Sequence, residues 1–385
     1  VGPLAGLKII EVTGLGAAPY CGMMLADMGA EVIRVDRVCV PADASVPADP
    51  LTRGRRSIAL NLKSRAGIEA LLQLVKRADA LFEGFRPGVA ERLGFGPERC
   101  LARNPQLVFG RLTGWGQEGP LARSAGHDIN YIALSGALHS IGRYGQKPVA
   151  PLNLVGDFGG GGLLLAFGMV CALWEAGHSG RGQVVDAAML DGATSLMAMF
   201  FGFAANGWFD DAAGSHLLGT AAPFYDTYET ADEKYIAIGS LEPEFFARLL
   251  ELTGLDAQRF SGAGFKGIGR PLDRSAWPEL REALTAVFRQ KSRDEWCRLL
   301  EGTDACFAPV LGLSEMHLHP HNTARATTIK IDGVRQPAPA PRFSRSKPDV
   351  PKTGDRPGVN SAAVLSDWGF SAAQIEGLKA NGGLA

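Results

Sequence analysis

The 385-residue chain reads as an α/β protein, a large domain of alternating strands and helices followed by a smaller α+β domain. Three observations carry this reading. Short apolar, β-branched runs alternate with helix-length amphipathic segments through the first half, the rhythm of a Rossmann-like parallel sheet. Beyond about Gly207 the pattern changes to a hairpin followed by helices. The length also exceeds what one core usually fills, so two domains are expected.

Taken in order, LKIIEV (7–12) reads as the first strand, with Ala17 to Gly29 as a helix and EVIRVD (31–36) as the second strand. The N-terminus lacks a basic region and reaches Glu11 too soon for a secretory signal, which supports the strand. Residues 38–52, VCVPADASVPADPLT, are Pro/Ala-rich without a period and read as a surface excursion. SIALNL (57–62), ADALFEG (78–84) and QLVFGRL (106–112) continue the strands. The apolar stretch Phe158 to Trp174, diluted by four glycines, reads as a buried core helix that falls short of a membrane span. Then FYDTYET, a turn at Asp232 to Lys234 and YIAIG form a hairpin, followed by helices at Pro243 to Leu252, Trp277 to Arg289 and Arg293 to Glu301. From Cys306 the chain returns through QPAPAPRF to a short amphipathic pattern near Ser361 to Leu378. The domains expected are therefore 1–206, a large domain; 223–305, a small α+β domain; and 306–385, packing back on the first.

Thirty-nine Lys and Arg against 40 Asp and Glu leave a net charge of -1, so no global field draws nucleic acid or an anionic membrane, and neither partner is expected. Cys21, Cys39, Cys100, Cys171, Cys297 and Cys306 include no CxxC pair. They read as reduced thiols, each a small buried hydrophobe, with no metal site, and the location expected is cytoplasmic, the C-terminus lacking an SKL-type address.

Four segments could carry chemistry. TGLGAAPYCG after the first strand, with Asp36 ending the second, imitates a dinucleotide fingerprint, but the glycine spacing does not match GxGxxG, and a plain Gly-rich turn is the better reading. In AGHDINYIALSGALHSIG (125–142), His127 precedes a helix start in a loop expected at the ligand edge of the sheet, with Asp128 suited to the N-cap. An imidazole there takes and returns a proton near neutrality, whereas His139, His178, His317, His319 and His321 read as structural or exposed. In PLNLVGDFGGGG (151–162), Asp157 stands before four glycines that would let a bulky substrate approach the backbone, and before helix amides suited to an anion. In AIGSLEPEFF (237–246), Glu242 precedes Pro243 at a helix start, an unusual cap and a carboxylate able to orient an imidazole. Basic residues gather in the first half at Arg37, Arg53, Arg55, Arg56, Lys63, Arg86 and Arg92; Arg37 and Arg86 stand out because each follows a strand.

On RLTGWGQEGP (111–120), AGHDINY (125–131), PLNLVGDFGGG (151–161), GRGQVVDAAMLDG (180–192), PFYDTYETAD (223–232) and LEPEFF (241–246), the chain resembles, end to end, the α-methylacyl-CoA racemase family of the type III CoA-transferase (CaiB/BaiF) superfamily. The resemblance implies a Rossmann-like large domain and an interlocked homodimer. It implies that His127 and Asp157 are the proton-transfer groups for the S and R epimers, with Glu242 of the partner's small domain bonding His127. It further implies CoA contacts at Arg37, Leu60, Gly84, Phe85, Arg86 and Arg92, and at Gly126, Asp128, Ile129, Asn130 and Tyr131. No separate cofactor is implied, since CoA belongs to the 2-methylacyl-CoA substrate. The chain departs from the family at LLGTAAP (217–223), where an acid and glycines are replaced by Gly219, Thr220 and Ala221.

A racemase must remove the α-proton of a thioester on one face and return one on the other, with donors for the enolate oxygen. The amides of Asp157 to Gly160 are expected to supply them. The alternatives are a type III CoA-transferase with Asp157 as covalent nucleophile, a nicotinamide oxidoreductase and a non-catalytic CoA-binding protein. The faulty glycine spacing speaks against the second of these and His127 against the first.

Overall fold

The computed structural model describes residues 1–12, 14, 16–37, 49–208, 211–267 and 273–384. Along the chain come β1 (Lys8–Val12), α1 (Ala17–Asp27), β2 (Glu31–Asp36), β3 (Arg56–Ala59), α2 (Arg65–Val75), β4 (Ala80–Glu83), α3 (Val89–Leu93), α4 (Pro97–Arg103) and β5 (Val108–Thr113). Then follow α5 (Asp128–Leu134), α6 (Ala137–Ser140), a wide π-type helix (Leu154–Leu163), α7 (Leu164–Ser179), β6 (Val184–Ala188) and α8 (Met189–Leu196). Of the expected excursion, residues 38–48 lie outside the described residues, and Pro50–Thr52 form a short 3-10 turn.

Two compact units divide the chain, and neither is contiguous: 1–135, 152–196 and 320–385 form the large unit, 136–151 and 197–319 the small one. In the large unit β1 to β6 make a six-stranded parallel sheet in the order β3-β2-β1-β4-β5-β6. Because side chains alternate along each strand, the sheet feeds two cores. Ile10, Val12, Ile33, Val35 and Leu81 pack with α2 and Trp368, while Ile9, Val32, Ala80, Phe82 and Leu112 pack with α1 and α7. Burial on both faces is what made these runs nearly continuous in apolar residues. The strand order reverses direction between β1 and β4, and in open α/β sheets such a switch point opens a crevice at the carboxyl ends of the strands.

The C-terminal stretch returns as expected, but from Pro320 rather than Cys306. Asp355 and Gly358 bond the β3 edge, through the amide of Asp355 to the Arg55 carbonyl (3.0 Å) and that of Gly358 to Ser57 Oγ (2.8 Å). Helices α15 (Ser361–Asp367) and α16 (Ala372–Ala380) resolve the amphipathic pattern into two, after α14 (Pro320–Ala324) and the hairpin β10 (Thr328–Ile331) and β11 (Val334–Pro337).

The small unit carries α9 (Ala198–Ala205), β7 (Tyr225–Glu229), β8 (Tyr235–Gly239), α10 (Pro243–Thr253), α11 (Ala257–Phe260), α12 (Trp277–Phe288), α13 (Arg293–Leu300) and β9 (Phe307–Pro309). β7 and β8 form the expected hairpin, and β9 adds antiparallel to β8, which explains why the boundary falls past residue 306. Its core gathers Phe224, Tyr228, Phe246, Trp277, Phe288 and Trp296. Arg281 clamps the 217–221 loop, donating to the carbonyls of Thr220 (2.9 Å) and Ala221 (2.7 Å). Thr220 there holds a left-handed backbone, φ +70°.

Candidate active site

At the switch point a cavity of about 680 Å³ opens over the carboxyl ends of β1 to β4. Arg37, Leu60, Gly84, Phe85, Arg86 and Arg92 all line it, and Asn61, Lys63 and Val89, outside the expected set, join them. Lys63 was visible in sequence as one of several basic residues, but only the turn after β3 places it here. The cations divide by role. Arg53 pairs with Asp27, Arg55 with Glu11, and Arg56 with Glu31 and Asp367, so these three hold the fold. Arg37, Lys63, Arg86 and Arg92 form no ion pair with another described residue and face an anion-sized demand for charge. Asp36 also borders the cavity, yet its carboxylate takes Arg34 Nε (2.8 Å) and Ser57 Oγ (2.5 Å). It is therefore not free to bond a ribose, against the nicotinamide reading.

Beneath the cavity lies Glu83, fully buried at the end of β4. It accepts from the Phe85 amide (2.5 Å) and from Arg111 Nε (3.0 Å), and Arg111 reaches on to Glu91 in α3 (2.7 Å). Burial pushes the Glu83 carboxyl up to about 7, against the pull of that amide and of Arg111.

His127 and Asp157 sit on neighbouring segments of the large unit. His127 caps α5, with extended backbone, and its amide donates to Asn130 Oδ1 (3.0 Å). The cap is thus His127, not Asp128. Asp128 occupies the first helical position, 5% exposed, and turns its carboxylate across to the wide helix. There Asp128 Oδ2 accepts from the amides of Gly156 (2.6 Å) and Asp157 (2.7 Å). Burial raises the Asp128 pKa, and the nearby charge of Asp157 adds to this while the two amide bonds oppose it. Asp157 lies in the first turn of the wide helix, half-buried, and Asn153 Nδ2 donates to its Oδ2 (3.0 Å). The Gly-rich turn after β1 also meets it: a Cβ on Gly16 would stand 3.6 Å from Asp157 Oδ2.

Two expectations about this segment are corrected. The glycines do not open the backbone to a substrate: a Cβ on Gly160 would meet Ala193 N at 2.6 Å, and one on Gly162 the Ala17 carbonyl at 2.4 Å. They let α8 and α1 close onto the helix. Nor are the early amides free, since those of Gly156 and Asp157 serve Asp128 and that of Phe158 donates to the Asn153 carbonyl (3.3 Å). The amides of Asp128 and Ile129 open α5 directly after His127.

In the rest of that loop, Tyr131 donates its hydroxyl to the Gly126 carbonyl (2.5 Å) and packs edge-on to Trp115, 4.8 Å between centroids. Its ring thereby shapes the loop from inside, while Ile129 and Asn130 are exposed. Glu242 belongs to the small unit, exposed at the N-cap of α10 with no side-chain capping bond.

The long apolar stretch is not a buried core helix. Wide helix and α7 run together over Leu154–Ser179, long and apolar enough to cross a membrane, with 39% of its apolar window buried. Leu165, Ala166, Met169 and Ala172 face the core, whereas Leu163, Phe167, Val170 and Trp174 make an exposed stripe, Trp174 at 72%.

The profile of CoA-transferase family III matches residues 4–361. The chain is 43% identical to alpha-methylacyl-CoA racemase of Mus musculus, over 97% of this chain and 95% of that protein. It is 40% identical to the Homo sapiens protein of the same name over the same shares. Among solved structures, a CAIB/BAIF family protein from Brucella suis superposes with a TM-score of 0.79 at 25% identity, covering 95% of this chain and 99% of that one. By sequence along nearly its whole length and by fold, this chain belongs to CoA-transferase family III.

Proposed function

We propose that the protein is an isomerase that racemises the α-carbon of 2-methylacyl-CoA thioesters. The observation that carries this is the joining of the His127 and Asp157 segments through Asp128, in a large unit that also holds a four-cation cavity and in a chain 40–43% identical to two racemases. The cations suit the phosphates of CoA, and Gly84 in their cavity lies against Gly14, in the same turn whose Gly16 approaches Asp157. His127 then removes the α-proton on one face while Asp157 returns one on the other, and the reverse direction exchanges their roles. The opening amides of α5 receive the enolate oxygen. A CoA-transferase would need an acceptor acid and would use Asp157 as nucleophile.

The test is incubation of one epimer of a 2-methylacyl-CoA in heavy water without any acid acceptor, followed by NMR and chiral analysis. Deuterium at the α-carbon with loss of optical purity is expected. Retention of the α-proton, with CoA exchanged only when a free acid is added, would overturn the reading in favour of the transferase.

The exposed stripe of Leu163, Phe167, Val170 and Trp174 supports a second copy of the chain as partner, in a homodimer that brings Glu242 of one chain to His127 of the other. The charge balance supports a chain without nucleic-acid or membrane partners, and cysteines without a CxxC pair support a reducing, cytoplasmic setting.

A further inference from the structure

We infer that Asp128 is a positioning residue that holds the two proton-transfer groups in register, a role that rests on the racemase reading. It follows His127 directly in the chain and, through one carboxylate oxygen, takes the amides of both Gly156 and Asp157. One side chain therefore ties the segment that carries the imidazole to the one that carries the acid. The site is built for the tie. A Cβ on Gly156 would fall 2.6 Å from Asp128 Oδ2 and 3.2 Å from Ile132, so glycine there is what lets the carboxylate dock. The other oxygen, Oδ1, is buried with no hydrogen-bond partner, which leaves the side chain no task in solvent. A CoA contact through this side chain would need it turned outward; its 5% exposure and two amide bonds hold it inward.

The role predicts a particular failure. Two-faced proton transfer needs both groups placed to within a fraction of an ångström, whereas exchange on one face needs only His127 and the enolate donors. In Asp128→Ala the S epimer should keep α-deuterium exchange while racemisation falls, raising the exchange-to-racemisation ratio about threefold or more. KM for the thioester should stay within about twofold. Asp128→Asn keeps an acceptor oxygen in place and should hold the ratio near wild type. Should Asp128→Ala not fold, Asp128→Glu, which keeps the acid but lengthens the arm, must show the raised ratio. An unchanged ratio in Asp128→Ala and Asp128→Glu, or a rise in KM alone, overturns the inference in favour of a structural or CoA-binding role. A wild-type protein that exchanges no α-proton at all overturns the racemase reading itself, and the wild-type control reports that separately.

Discussion

His127 and Asp157 have different tasks, and their substitutions should separate them. Asp157→Asn keeps the shape and the Asn153 contact region but removes the acid. It should abolish racemisation yet leave exchange in the S epimer, because His127 still removes and replaces the proton on its own face. His127→Ala should confine residual exchange to the R epimer. Deuterium incorporation and chirality followed together decide this, and equal, complete loss in both epimers for both variants would argue against separate roles. Both residues were legible in sequence because each stands between a loop and a helix start, where ligands of such sheets bind. Asp128 was legible as helix-initiating, but its partners were not, since the amides of Gly156 and Asp157 are 28 and 29 residues away. Sequence periodicity reports only the element a residue belongs to, not what its side chain reaches.

At the scale of elements, the wide helix was hidden for a similar reason: its composition is that of any apolar helix with glycines, and its winding is set by what packs on it. Gly160→Ala should cost about 3 kcal/mol in urea unfolding, because backbone of α8 lies in the way of the added carbon. Gly177→Ala in α7, where a Cβ meets nothing within 4 Å, should instead stabilise by about 0.5–1 kcal/mol. A Gly160→Ala protein as stable as wild type would remove the packing role. β4 makes a second prediction through Glu83. Between its ordinary value of 4.5 and about 7, the folded chain keeps a proton that the unfolded chain has released. Stability from this group is thus full below pH 4.5 and declines as pH rises through 7. Urea midpoints across that range should slope downward in wild type relative to Glu83→Gln; parallel curves would refute the assignment. The strand itself was plain in ADALFEG, whose stretch Ala80–Glu83 is buried throughout.

For the whole molecule, the α7 stripe sets the prediction about assembly. On the proposed homodimer, Trp174→Lys with Phe167→Lys should shift sedimentation from dimer to monomer and lower racemisation, since Glu242 would then no longer reach a partner. A wild-type monomer with full activity refutes the homodimer, and flotation of the wild type with lipid vesicles would assign the stripe to a membrane instead. The two-domain plan was readable from the change of pattern near Gly207, but not the way the chain divides between them, because a segment such as 136–151 carries no mark of the unit it joins. The backbone passes between the units four times, at 135/136, 151/152, 196/197 and 319/320. No single protease nick can release either unit as one intact piece of chain. Excising the small unit as a gene fragment would mean removing two separate stretches and closing two joints, so neither half of this protein is available to be lost, shuffled or expressed as a cassette.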